Sequence, residues 1–277
     1  MFVSFQPFIF AFVFKGLQTN DSRMNIITYN VNGIRSAINK SFLSWLQEEN
    51  PDIICLQEVK ADSNQINADD FESLGYHIAW HSAEKKGYSG VAILSKPKPL
   101  KTIIGCGIDY IDSEGRILIN EYPNFSLVSV YIPSGSSGDE RQNLKMKFLD
   151  DFLQFTENLK KTYEKVIIAG DFNICHKPID IHDPIRNANS SGFLPEEREW
   201  FDTFVSSGWI DSFRAINHQP HQYTWWTYRA GARAKNKGWR IDYQMLTPNL
   251  LPHLKDAVIL SDVVHSDHCP YKINVDV

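Results

Sequence analysis

The chain has 277 residues, 43% of them hydrophobic and 22% charged, with a formal net charge of −5. That balance excludes a disordered chain, a collagen, a coiled coil and a multispan membrane protein, and the length suffices for a large core without a disulfide or zinc staple. Net acidity excludes a coat of basic charge but permits a local basic stripe against nucleic acid. Residues 1–23 are rich in Phe and poor in charge, with the longest apolar run from Phe8 to Phe14. Seven residues do not span a bilayer, and no Lys or Arg precedes them as in a secretory signal. The segment is predicted to be a poorly structured extension or a start placed too early, because Met24 sits directly before a strand-like run. From there, strands are predicted at Ile26–Tyr29, Ile53–Leu56, Gly90–Leu94, Ile117–Glu121, Ser126–Tyr131, Val166–Ala169, Tyr243–Leu246 and Tyr271–Val275. Helices are predicted at Ser41–Glu49, Gln142–Tyr163 and Pro195–Ser206, the last opening with proline and two acids that suit a first turn. Strands with helices interspersed suggest sheet packed on sheet with helices outside, in one domain over 24–277. Cys55, Cys106, Cys175 and Cys269 form no C-x-x-C pair, which points to reduced thiols and a cytoplasmic setting.

Four apolar segments run into acids or amides. Ile53–Leu56 ends in Gln57-Glu58, and Val166–Ala169 in Gly170-Asp171-Phe172-Asn173. Ile26–Tyr29 leads to Asn30-Val31-Asn32, and Val263-Val264-His265 to Ser266-Asp267-His268. A buried strand that ends in an acid aims it at a sheet edge, where a cleft can form. Several oxygen ligands from several strand ends suit a hard cation such as Mg²⁺. Each segment alone also reads as a turn, a surface pair or, for Arg240-Ile241-Asp242, a structural ion pair.

Together, TYNVNGIR, LQEVK, GYSGVAILSK, VYIPSG, AGDFN, SGFLPEERE, YTWWTY, GWRIDY and SDHCP resemble the exonuclease III family of apurinic/apyrimidinic endonucleases. They stand in that family's order across nearly all of 24–277. The resemblance implies a DNase I-like four-layer α/β sandwich, two packed mixed sheets flanked by helices. It implies Mg²⁺-dependent hydrolysis of the phosphodiester 5′ to an abasic site, with 3′-phosphatase, 3′-phosphodiesterase and 3′-5′ exonuclease activity, and Mn²⁺ able to substitute. The partner would be double-stranded DNA with abasic sites or blocked 3′ ends, acted on by a monomer with no membrane involved.

By the same resemblance, Glu58 matches the main metal ligand, with Asn30, Asp171, Asn173, Asp267 and His268 in or beside the metal site. Asn32 stands where some relatives carry an acid, so the metal count stays open. Asp171 matches the group that activates water, and Asn173 the one that orients it, the two sharing one side of an extended segment. Tyr131 matches a phosphate contact; His268 matches the catalytic histidine, with Asp242 as the carboxylate that fixes its tautomer.

Residues 229–240 carry Arg229, Arg233, Lys235, Lys237 and Arg240 with no acid among them, a fair phosphate-binding loop. Trp225, Trp239 and Ile241 match a pocket for a flipped sugar, while Trp226 reads as core. Arg229 stands where relatives wedge into the duplex. Arg35, Lys40, Lys85 and Tyr88 match backbone contacts, none of which reads base identity. Two other readings are a phosphoesterase of the same fold acting on a phosphoinositide or phospholipid head group, and a binding protein without catalysis. The tryptophan pocket, the basic loop and GYSGV favour DNA over the first; no catalytic position is replaced, which opposes the second.

Overall fold

The protein is described here by a computed structural model that covers residues 23–277. Residues 1–22 of the expected extension lie outside the described residues. Arg23, its last member, belongs to the first strand, where it pairs with Asp276.

The elements follow as β1 (Arg23–Asn30), α1 (Ile34–Ile38), α2 (Phe42–Glu49), β2 (Ile53–Gln57), α3 (Asp69–Glu72), β3 (His77–His81), β4 (Val91–Ser95), β5 (Lys101–Ile104), α4 (Asp109–Asp112), β6 (Ile117–Glu121), β7 (Ser126–Tyr131), α5 (Asp139–Thr162), β8 (Val166–Asp171), α6 (Pro195–Ser206), β9 (Ile210–Asp211), α7 (Ser212–Ile216), β10 (Asp242–Leu246), β11 (Leu254–Ile259) and β12 (Tyr271–Asp276). The described strands form two six-stranded sheets, ordered β11-β12-β1-β2-β4-β3 and β5-β6-β7-β8-β10-β9. Each is mixed, with one parallel pair at its centre: β1 with β2, and β7 with β8.

Alternation along each strand builds the layers. Ile26, Ile93, Leu127, Ile167 and Leu246 meet between the sheets. Their neighbours point the other way. Ile27, Leu56 and Leu94 pack on Phe42, Leu46 and Phe71. Ile168, Val128 and Met245 pack on Phe148, Phe152, Phe201 and Phe204. Each such side chain stabilises the fold by about 1.5–3 kcal/mol. The result is helix, sheet, sheet, helix.

α5 buries Lys145, Phe148, Leu149, Phe152, Thr156 and Leu159, a stripe at helical spacing, and starts at Asp139 rather than the expected Gln142. Asp139 and Glu140 in its first turn and Lys160 and Lys161 in its last complement the helix dipole. α6 keeps its expected bounds. Its Glu197 carboxylate reaches back to the Leu194 N–H at 2.9 Å, half of a capping box. The four thiols are free, with Cys55, Cys175 and Cys269 buried. Among the described residues no helix is long and apolar enough to cross a membrane.

Candidate active site

Strand register places three functional groups in a row. Tyr131 on β7 pairs with Asp171 on β8, and Asp171 pairs with Asp242 on β10. Residues paired this way face the same side of a sheet. The other sheet contributes Asn30 at the end of β1, and Glu58 just past β2. The Asn30 amide donates to Glu58 Oε1 and to Asp171 Oδ2, each at 2.8 Å, and so ties the sheets together at the site.

Two backbone kinks aim side chains at the site. Glu58 (φ 51°) and Asn173 (φ 53°) both lie in the left-handed region, a conformation that costs a residue with a Cβ about 1–2 kcal/mol. Asn173 therefore does not continue the extended segment expected from AGDFN. Its N–H folds back onto Asp171 Oδ1 at 2.8 Å, and its amide donates to the Ile132 carbonyl at 2.9 Å. The side chain still faces Asp171, but a turn brings it there.

His268 is buried and holds Asp242 Oδ2 through Nδ1 at 2.9 Å, while Nε2 lies 3.8 Å from Asp171 Oδ2. Burial pulls its pKa down, but Asp242 and Asp171 outweigh burial and lift it to about 10, so the ring is an imidazolium. Asp171 moves the opposite way from an ordinary acid: burial raises it to about 7, with His268 pulling down and Asp242 pushing up. Glu58 is held below its ordinary value because Lys60 and the Asn30 amide outweigh burial. Lys60 contacts Glu58 Oε2 at 2.8 Å and Asn32 Oδ1 at 2.6 Å. Asp267 accepts from Asn32 Nδ2 at 2.9 Å and from the Trp225 indole at 3.0 Å.

These groups open on a cavity of about 360 Å³ lined by Glu58, Tyr131, Asn173, Trp225, Trp239, Ile241, Asp267 and His268, together with Ser134, Ser136, Ser191 and Gly192. Trp225 and Trp239 meet edge to face at 5.9 Å. Gly192 (φ +94°) lies against the wall: a Cβ there would sit 2.8 Å from the Trp239 ring. The serines, Gly192 and Lys60 were not singled out from sequence, although SGFLPEERE and LQEVK contain three of them. Nothing in those strings says that a glycine must lie flat on an indole.

The remaining expected DNA contacts lie outside this cavity. Arg35 and Arg229 are exposed, and Lys40 donates to the His265 carbonyl at 3.0 Å. Lys85 sits 5.2 Å over the Tyr88 ring, and the Tyr88 hydroxyl accepts from Arg116 at 3.1 Å and from Arg141. Two members of the basic loop are corrected. Arg240 is fully buried and paired with Asp180 and Asp211, so it does not present charge to solvent and does not pair with Asp242. Arg233 spends its guanidinium on the carbonyls of Ser261, Val263 and Ser266 and stacks on Trp226, which is core as expected.

Glu58, Asp171 and His268 can bring ligand atoms within 4.8 Å of one another. Four acids (Glu58, Asp171, Asp242, Asp267) face two cations (Lys60, His268), and the buried Asp242 Oδ1 has no hydrogen-bond partner among the described residues. An excess of oxygen donors and negative charge fits a hard divalent cation.

Residues 27–268 match the Endonuclease/Exonuclease/phosphatase family. The chain belongs to that family. It is 42% identical over 256 residues to an exodeoxyribonuclease of Bacillus subtilis (strain 168), covering 92% of this chain and 100% of the relative. It is 40% identical over 260 residues to the DNA repair nuclease APEX1 of Danio rerio, covering 92% and 84%. Among solved structures, the 3′ phosphatase NExo from Neisseria, bound to a product DNA hairpin, superposes with a TM-score of 0.85 at 27% identity, over 92% of this chain and 100% of that one. An AP endonuclease from Archaeoglobus fulgidus gives 0.83 at 30% identity, with the same coverage. The fold is thus the DNase I-like sandwich of this family, as expected from sequence.

Proposed function

We propose that this chain is a DNA repair nuclease that hydrolyses the phosphodiester 5′ to abasic sites and trims blocked 3′ ends with Mg²⁺. The observation that carries the reading is the single cavity in which an acid cluster and an indole-walled recess meet. The names of the family relatives support it. Mg²⁺ held by Glu58, with Asp171 and the Asn30 amide oxygen nearby, would polarise the phosphoryl group and stabilise charge on the leaving oxygen; Mn²⁺ shares this chemistry. Asp171, with its pKa near 7, accepts the proton of the attacking water, oriented by the Asn173 amide. The His268 imidazolium, locked by Asp242, donates to a non-bridging phosphate oxygen as charge develops there. Tyr131 keeps its proton because burial pushes its phenol up, so it serves as a neutral donor to the same phosphate.

Trp225, Trp239 and Ile241 would receive a sugar that has lost its base, and an abasic nucleotide is cheap to flip because it lacks stacking and pairing. Arg35, Lys40, Tyr88 and Arg229 would contact the DNA backbone. Action as a monomer in a cytoplasmic setting belongs to the same reading. The test is hydrolysis of duplexes carrying an abasic site, a 3′-phosphate or an intact recessed end, beside an inositol phosphate, with and without Mg²⁺. Cleavage of the first two, abolished by a chelator, is expected. Turnover of the inositol phosphate with intact DNA would overturn the reading.

A further inference from the structure

Two walls of the cavity are held from behind by one buried ion pair. Lys145 on α5 and Glu197 on α6 are fully buried and meet at 2.6 Å. Such a pair is weak as a source of stability, because desolvating two charges offsets their attraction. Its hydrogen bonds point to another role. The Lys145 ammonium also donates to the carbonyl of Asn173 at 2.8 Å. Glu197 Oε2 accepts from the backbone N–H of Gly192 at 2.6 Å and of Leu194 at 2.9 Å, and Oε1 also takes the Gln142 amide at 3.1 Å. Gln142 in turn accepts from the Ser191 hydroxyl at 2.8 Å. The Cys175 N–H donates to the Gly192 carbonyl at 2.7 Å, which closes the ring. One end of this chain of contacts fixes Asn173 in its left-handed turn beside Asp171. The other presses Gly192 against Trp239.

We propose that Lys145 and Glu197 are positioning residues that set Asn173 and the Gly192 edge of the pocket as one unit, so that turnover and selectivity against an intact nucleotide change together. This rests on the nuclease reading above. A charged pair serves here because a backbone carbonyl and two backbone N–H groups need a donor and an acceptor in the same dry space.

Three variants test it, each measured well below its melting temperature on abasic and intact duplexes. Glu197→Gln leaves one oxygen to accept from Lys145 and sets an NH2 against the Gly192 and Leu194 N–H donors, which releases the loop. A displacement near 1 Å costs about 100-fold, so kcat on the abasic duplex is expected to fall by about 10- to 100-fold with KM within about threefold. The ratio of abasic to intact cleavage falls with it. Gln142→Ala removes the bonds to Glu197 and Ser191 and, by loosening Glu197 against Lys145, should move both quantities the same way, by less; it carries the test if Glu197→Gln does not fold. Phe152→Leu, on the apolar stripe of α5, should lower the melting temperature and leave the ratio untouched. An unchanged ratio in Glu197→Gln and Gln142→Ala overturns the inference, as does an equal shift in Phe152→Leu. The nuclease reading fails separately, if the unsubstituted protein does not cleave the abasic duplex.

Discussion

Two buried charged clusters stand two residues apart in sequence and are built on opposite principles. Arg240 belongs to a balanced one: Asp180 and Asp211 against Arg240 and Arg214, at 2.7–2.9 Å. Asp242 belongs to an unbalanced one, in which Glu58, Asp171, Asp242 and Asp267 face Lys60 and His268 alone. Between them, Ile241 lines the cavity. In a medium of low dielectric, uncompensated charge is expensive, so a fold keeps it only where something else is to arrive. The balanced cluster joins β9, α7, the turn at Pro178–Asp180 and the residue two before β10, and only Arg214 in it is partly exposed. The unbalanced one opens on the recess. Charge balance therefore separates scaffold from reaction site where the sequence string Arg-Ile-Asp does not.

Substitutions should treat the two clusters differently, and the sharpest contrast is in turnover. Asp171→Asn and His268→Asn are expected to lose about three or more orders of magnitude in single-turnover cleavage, with DNA affinity within about tenfold, because the proposed reading has both act in the transition state. Equal losses in rate and affinity would move them to substrate positioning. In the balanced cluster, Asp180→Asn leaves Arg240 and Arg214 with Asp211 as their one carboxylate and is expected to remove about 3–5 kcal/mol of stability in denaturant titrations. The folded fraction should retain its kcat; a catalytic defect beyond unfolding would break the distinction.

Smaller effects refine the unbalanced side. Glu58→Gln keeps shape and loses charge, so its Mg²⁺ midpoint should rise by about tenfold or more, each tenfold being about 1.4 kcal/mol, with activity partly recovered at high Mg²⁺. An unchanged midpoint would remove Glu58 as the principal ligand. Trp225→Ala should lower the ratio of abasic to intact cleavage by about ten- to two-hundredfold, the worth of one packed group in an apolar pocket. A lower melting temperature at constant ratio would make Trp225 a core residue instead.

A further contrast, the slope of stability with pH, has opposite signs in the two clusters. Asp171 in the fold titrates near 7, above its ordinary 3.8. Between those values the folded protein keeps a proton that the unfolded chain releases, so stability falls as pH rises through that window. Asp171→Asn should therefore match the parent near pH 4 and melt higher at pH 7, both without metal. Asp180 is held below 3.8 because Arg240 and Arg214 outweigh burial. Its contribution is complete above 3.8 and is lost as pH falls through the folded value, so Asp180→Asn and the parent should converge only in that acid range. Melting curves across pH on both variants check the pair of signs.

The strands show what was legible and why. The eight predicted from sequence are the eight interior strands, and the four overlooked, β3, β5, β9 and β11, are the four sheet edges. Most interior strands are buried on both faces and read as continuous apolar runs, as in Ile53–Gln57 and Val166–Asp171. An edge has solvent on one side, so His77–His81 and Lys101–Ile104 carry charge and imidazole where a pattern search wants Val or Ile. The Leu254–Ile259 strand is further disguised by a bulge between Leu254 and Asp256.

By itself the sequence determined the fold class and placed the interior strands to within three residues at either end, because burial on two faces and a set of ordered motifs are local signals. It did not determine partnership. Whether Arg240 meets solvent, Asp242 or Asp180 depends on which face of a strand packs on which helix, and that is settled by contacts up to 60 residues apart. The left-handed turn at Asn173 and the pressure of Gly192 on Trp239 are of the same kind. Each is held by hydrogen bonds from α5 and α6, and a bond between distant segments leaves no trace in the spacing of either one.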